Sequence, residues 1–86
     1  MLFRSALTFV RKNWDQHPVK TLKTVATNMI EKSGSLKVEY FEIADAVTLQ
    51  PVSEIDGTSH VRCFVAAHLG NVRLIDNEAV TRPVEL

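Results

Sequence analysis

One cysteine, three glycines and three prolines are all that 86 residues contain, and each scarcity closes off a class of protein. Cys63 has no second thiol to pair with, so no internal disulfide forms and a reducing, cytoplasmic setting is expected. Gly34, Gly57 and Gly70 stand in three separate places. Neither a G-x-G-x-x-G nor a G-x-x-x-x-G-K loop exists to wrap backbone N–H groups around a phosphate. No apolar run approaches the ~18–20 residues that a membrane helix needs. The first residues, MLFRSALTFVRKNW, interrupt their apolar run with arginine and offer no small-residue cleavage site, unlike a secretory signal. The net charge is zero, which argues against nucleic acid as the main partner. Repeats, low-complexity tracts and linkers are absent too.

What remains is a chain of ordinary globular make-up, 45% hydrophobic and 23% charged, whose length suits one domain over residues 1–86. Its charge is unevenly placed. Residues 1–32 hold Arg4, Arg11, Lys12, Lys20, Lys23 and Lys32 against Asp15 and Glu31, a net of +4, and the rest carries −4. Either these are solvated faces with some mutual attraction, or the basic half lies toward an anionic ligand or partner.

The first third of the chain reads as a helical pair, residues 1–34. Phe3, Leu7, Val10 and Trp14 recur at helical spacing, with Ala6 widening the stripe. No Ser, Thr, Asp or Asn precedes Phe3 to cap this helix, and Ser5 could cap only a shorter one. The missing cap suggests a helix cut from a longer chain; a chain that simply starts in a helix fits as well. Asn13 to His17 is polar and turn-like. Pro18 suits the first position of a second helix, whose stripe is Leu22, Val25, Ala26, Met29 and Ile30. Gly34 stands where a helix end takes a left-handed residue. Lys20 and Lys23 lie at this helix's N-terminus, against its dipole.

Residues 36–77 read as an antiparallel sheet. Leu36, Val38 and Tyr40 alternate, then Phe41 and Ile43 continue in the opposite phase, as at a bulge or a second buried face. Asp45 to Pro51 is a connection in which Asp45 can cap a turn. Val52 to Ile55 is a brief strand or loop, and Asp56 to Ser59 a turn. Val61, Cys63, Val65 and Ala67 alternate with Arg62, Phe64, Ala66 and His68, the pattern of a central strand. Gly70-Asn71 then signals a two-residue hairpin, setting Leu69 opposite Val72, His68 opposite Arg73 and Ala67 opposite Leu74. A strand over 72–77 follows, and residues 78–86 form a fraying tail. The expected fold is α+β, two N-terminal helices packed on a sheet of about three strands.

No complete catalytic set emerges. His60 and His68 would lie ~26 Å apart at strand rise, with Cys63 on the other face, so they do not make a zinc site. Asp56, Ser59 and His60 share one polar loop without a nucleophile turn or oxyanion donors. Glu39 and Glu42 point to opposite faces of a regular strand. Arg73, Asp76 and Asn77 read either as a network that holds the sheet, with Asp76-Asn77 capping a turn at the strand's end, or as a domain interface.

Two phrases carry a resemblance: VEYFEIADAVTLQPVSEI, Val38 to Ile55, and VRCFVAAHLGNVRLIDN, Val61 to Asn77. In this order they resemble the C-terminal domain of the pantothenate synthetase (pantoate–β-alanine ligase) family. That family's wording here is a strand ending in aspartate, Thr-Leu, an alternating strand with Ala-Ala, a glycine turn and Arg-Leu-Ile-Asp-Asn. The chain supplies Asp45, Thr48, Leu49, Ala66, Ala67, Gly70 and Arg73 to Asn77. The likeness is specific over residues 38–77 and general over 1–34.

The resemblance implies an enzyme that uses ATP and Mg²⁺ to activate pantoate as an adenylate. β-Alanine then attacks, giving pantothenate, AMP and pyrophosphate. It places the nucleotide chemistry in an N-terminal Rossmann-like domain, marked by H-x-G-H and Ser-Ser-Arg-Asn motifs that these 86 residues lack. No catalytic residue is therefore carried over. The implied role is a C-terminal lid, inactive alone and binding no cofactor by itself, in a homodimer assembled mainly through the N-terminal domain. Asp45, Arg73, Asp76, Asn77, Lys20 and Lys23 are the structural or domain-interface candidates. The alternative is an independent small protein-interaction module.

Overall fold

A computed structural model describes residues 3–32, 34–56 and 60–81. The chain forms α1 (Arg4–Asn13), α2 (Val19–Glu31), β1 (Lys37–Asp45), β2 (Val61–Leu69) and β3 (Val72–Thr81). The strands make one antiparallel sheet in the order β1-β2-β3. Both helices lie on one side of it, α2 against β1 and α1 against β3, and they also pack on each other. This is the α+β arrangement expected from the sequence.

The apolar stripes explain the layering. Phe3, Ala6, Leu7 and Val10 are buried from α1 and the residue before it, and Val19, Leu22, Ala26 and Ile30 from α2. They meet Phe41 and Ile43 of β1, Val61, Cys63, Val65 and Ala67 of β2, and Val80 of β3 in one core. Two members of the expected α2 stripe fall on its flank: Val25 is half-buried and Met29 is 38% exposed. The buried positions 19, 22, 26 and 30 are the ones that face the sheet.

Helix boundaries differ slightly from the reading above. Phe3, not Ser5, flanks the start of α1 and supplies no side-chain cap. Pro18 stands just before α2 in an extended conformation, and its carbonyl accepts the first helical bond from Leu22 at 3.0 Å. Gly34 is left-handed, with φ of +80°. Its N–H reaches back to the Glu31 carbonyl at 2.9 Å.

In the sheet, the phase change in β1 is a bulge. Val38 pairs with Ala67 and Tyr40 with Ala66, leaving Glu39 as the extra residue. The hairpin register is as expected, with Leu69 opposite Val72 and His68 opposite Arg73, and Gly70 sits at φ of +59°. The tail is a correction. β3 continues through Thr81, and Ala79, Val80 and Thr81 are buried. A second irregularity makes this work: Val61 pairs with Thr81 but Arg62 with Ala79, so Val80 is inserted and reaches the core. The expectation of a tail from residue 78, ahead of Pro83, stops the strand short of this insertion. Residues 82–86 of the expected tail, and 57–59 of the expected turn, lie outside the described residues. Val52 to Ile55 is loop, tied to β1 by the Ala44–Pro51 bridge and the Val52 N–H to Ile43 carbonyl bond of 3.0 Å.

Candidate functional site

Along the N-terminal part of α2 runs an open groove of about 460 Å³, lined by Val19, Lys20, Lys23 and Thr24 on one side and Glu42, Pro51, Val52 and Ser53 on the other. The loop after β1 folds back across that strand's edge to make the second wall. The fold thus brings both candidate lysines, Lys20 and Lys23, to one concavity. Their surroundings differ. Lys23 donates from Nζ to Glu42 Oε1 at 3.0 Å, both side chains being about one-third exposed. Lys20 is exposed. No acidic residue stands in the first turn of α2, so the helix dipole and the two ammonium groups all present positive potential here, with Glu42 offsetting one charge.

The remaining candidates do not converge. Arg73 grips Glu39 with two bonds, Nε to Oε1 at 3.0 Å and Nη2 to Oε2 at 3.3 Å, and His68 Nε2 lies 2.8 Å from the same Oε1. Arg73, then His68, holds the Glu39 carboxyl below its ordinary range, and Glu39 in turn raises Arg73. A carboxylate so occupied makes a poor general base. Asn77 accepts from Arg62 at 3.2 and 2.7 Å. Asp76 lies on the helix side of β3, where Arg4 of α1 comes within 3.8 Å of it and within 3.1 Å of Glu78.

Asp76 and Asn77 are therefore mid-strand residues rather than a turn cap, because β3 runs four residues past Asn77. Asp45 does cap a turn. Its Oδ1 accepts the N–H groups of Val47 and Thr48 at 2.8 and 2.9 Å. These bonds, Thr48's first, pull its carboxyl below the usual range. The turn holds Leu49 at φ of +62°.

The sequence reading missed Glu39 as the hub of the hairpin-end cluster. The signal was present: the alternation breaks at Tyr40–Phe41, and counting back from the turn sets His68 opposite Arg73. Arg4 and Glu42 were missed because their partners come from distant elements. Cys63 is buried, donates weakly to the Glu78 carbonyl at 3.6 Å, and has its thiol pushed up to about 12 by burial. It is unsuited to act as a thiolate nucleophile or ligand. Among the described residues no group of three or more His, Cys, Asp or Glu converges on a common point. No helix among them is long and apolar enough to cross a membrane.

The family model described as pantoate-beta-alanine ligase matches residues 1–79. The chain belongs to the pantoate-beta-alanine ligase family. It is 36% identical over 76 residues to the pantothenate synthetase of Phocaeicola vulgatus, an alignment covering 88% of this chain and 25% of that protein. The pantothenate synthetase of Leptospira biflexa is 38% identical over 61 residues, 71% of this chain and 21% of the relative. Among solved structures, pantothenate synthetase from Thermus thermophilus superposes with a TM-score of 0.79 at 24% identity, over 94% of this chain and 29% of that one. That likeness concerns the fold. The chain spans about a quarter of the length of the ligase relatives it matches.

Proposed function

We propose that this chain is the C-terminal lid domain of a pantothenate synthetase, inactive alone, closing over an N-terminal Rossmann-like domain of the same polypeptide in a cytoplasmic homodimer. The carrying observation is that nearly the whole chain matches the ligase family while accounting for about a quarter of its relatives' length. In the whole enzyme ATP and Mg²⁺ supply the activation of pantoate as an adenylate, which β-alanine then consumes. An acyl-adenylate is lost if water reaches it, so a rigid cover that excludes water raises both yield and local electrostatic strength. The two-layer fold, with its core drawn from all five elements, is such a rigid body.

Within that role the groove by α2 is the surface suited to anions. The described residues offer no cluster of acidic ligands for Mg²⁺, whereas Lys20 and Lys23 suit a phosphate or a carboxylate. Replacing both with alanine in the full enzyme should raise the KM for ATP or pantoate, and unchanged kinetics would remove them from the site. The lid role is tested by exchange. The matching quarter of the Phocaeicola vulgatus enzyme is replaced by this chain, and pantothenate formation is assayed beside the isolated chain. The hybrid is expected to be active and the isolated chain inert. A folded, dimeric but inactive hybrid, or a native protein of this chain's own mass in its source cells, would overturn the proposal.

A further inference from the structure

An antiparallel sheet with helices on one side ordinarily turns polar side chains to water on the other. Here the middle of the open face is apolar. Register places Tyr40, Ala66 and Ile75 in one cross-strand row and Glu42, Phe64 and Asn77 in the next. Tyr40 is 41% and Ile75 68% exposed, and Phe64 is half-buried. Between them is a shallow hollow of about 210 Å³, bordered by Tyr40, Phe64, Ile75 and Asn77. Polar groups ring this centre: Glu39, His68 and Arg73 at the hairpin end, Arg62 and Asn77 at the other. An apolar centre inside a polar, hydrogen-bonded rim is the anatomy of an interface. At the hairpin end Glu39 pairs with Arg73, so that part of the rim can be covered with its charges matched, while Arg62 at the other end is held by the neutral Asn77 amide.

We infer that this open sheet face, centred on Tyr40, Phe64 and Ile75, is the surface that seats on the remaining three-quarters of the ligase polypeptide. The inference rests on the lid reading. The occupant follows from length. The Phocaeicola vulgatus relative carries the equivalent of this chain in 25% of its length, so in that protein the other three-quarters is tethered to it. A tethered partner reaches millimolar effective concentration, and a patch of a few apolar side chains then suffices without independent affinity. The helix layer is a weaker candidate, because its apolar stripes are already spent on the core.

Cysteine footprinting of the full-length protein tests this. Ile75→Cys and Lys12→Cys place exposed thiols on the open sheet face and on the opposite, helical layer. Native Cys63 is buried and contributes no background. Maleimide labelling is followed by peptide mass spectrometry in catalytically active protein, each rate being normalised to that of the denatured chain. Ile75→Cys should label at least tenfold more slowly than Lys12→Cys. Equal rates, or the reverse order, in an active full-length enzyme would overturn the assigned face while leaving the lid reading intact. Protection that fades on dilution would mean a second copy is the occupant and would also overturn it. A native polypeptide no longer than this chain would remove the lid reading itself, and the mass of the native protein, read on an immunoblot of its source cells, reports that separately. Should Ile75→Cys disturb folding, Tyr40→Cys on the same row serves with the same expectations.

Discussion

The two faces of the sheet obey different rules. On β2 the helix-facing side chains, Val61, Cys63, Val65 and Ala67, are at most 2% exposed and lie in one core with both helices. The opposite side mixes polar and apolar side chains: Arg62, Phe64, Ala66 and His68. Strand alternation makes this separation automatic, because consecutive side chains point apart. The first face stores the stability of the fold. The second is free to vary in chemistry at little cost to folding, and it is where an apolar centre persists without packing from this domain. Position on the sheet, more than residue type, decides what a substitution should do.

The largest expected effect tests the packed side. Leu22→Ala empties a fully buried position between α2 and the sheet and should cost about 2–5 kcal/mol. In a domain this small that is a large share of the total stability. Ile75→Ala on the open face should change stability by no more than about 0.5 kcal/mol. Urea melts of both variants measure the difference, and equal losses would break the comparison. Cys63 sharpens it from inside. Its thiol is buried and raised to about 12, so alkylation at pH 8 must wait for the chain to open. Labelling should be about a hundredfold slower than in denaturant, and Leu22→Ala should speed it. Fast labelling of the folded chain would mean that the helix layer does not seal the sheet.

A smaller effect is expected where the helix layer meets β3 through charge. Arg4, with its side chain 43% exposed, bridges Asp76 and Glu78. Solvent screens such a pair, so Arg4→Ala should cost no more than about 1 kcal/mol. The loss should shrink as salt is raised. A salt-independent loss would point to packing of the arginine stem instead.

The sequence made the regular parts legible and hid the insertions. Periodicity found both helices, because Phe3, Leu7 and Val10, or Leu22, Val25, Ala26 and Met29, are spaced three and four apart and can fall on one side only of a helix. Gly70-Asn71 located the hairpin, and its register then followed by counting. β3 was cut short at Asn77 because the polar run Asp76-Asn77-Glu78 ahead of Pro83 has no apolar alternation, and the inserted Val80 that carries the strand into the core lies beyond it. The same physics concealed Glu39: a bulge residue belongs to neither phase, and only the folded ladder brings it to Arg73 and His68. The groove was half legible. Lys20 and Lys23 were visible at a helix start, but Pro51, Val52 and Ser53 reach it through a loop that refolds over a strand edge, a contact with no local signature.

The smallest expected effect is an acid-dependent one, and it belongs to the exposed side. Glu39 and Asp45 both have carboxyls held below their ordinary range, one by Arg73 and His68, the other by the N–H groups of Thr48 and Val47. A carboxyl whose folded pKa is depressed binds fewer protons than it does in the unfolded chain. Its contribution is therefore fully present above the unfolded value near 4 and disappears as pH falls through the folded one. Stability should be flat from pH 7 to 5 with respect to these two groups and decline below about pH 4. Glu39 is exposed and Asp45 lies half-exposed at the surface, so solvent screens both and the decline should be slight. Glu39→Gln should lessen the acid-side slope and leave the core untouched. Asp45→Asn should lessen it too, while loosening the turn that holds Leu49 left-handed. Melts at pH 3 and pH 6 of the wild-type chain and both variants separate these contributions. A Glu39→Gln chain whose acid sensitivity matches the wild type would show that the hairpin-end cluster adds no stability to the fold. Its rim position on the open face would then be the only reason left for its geometry.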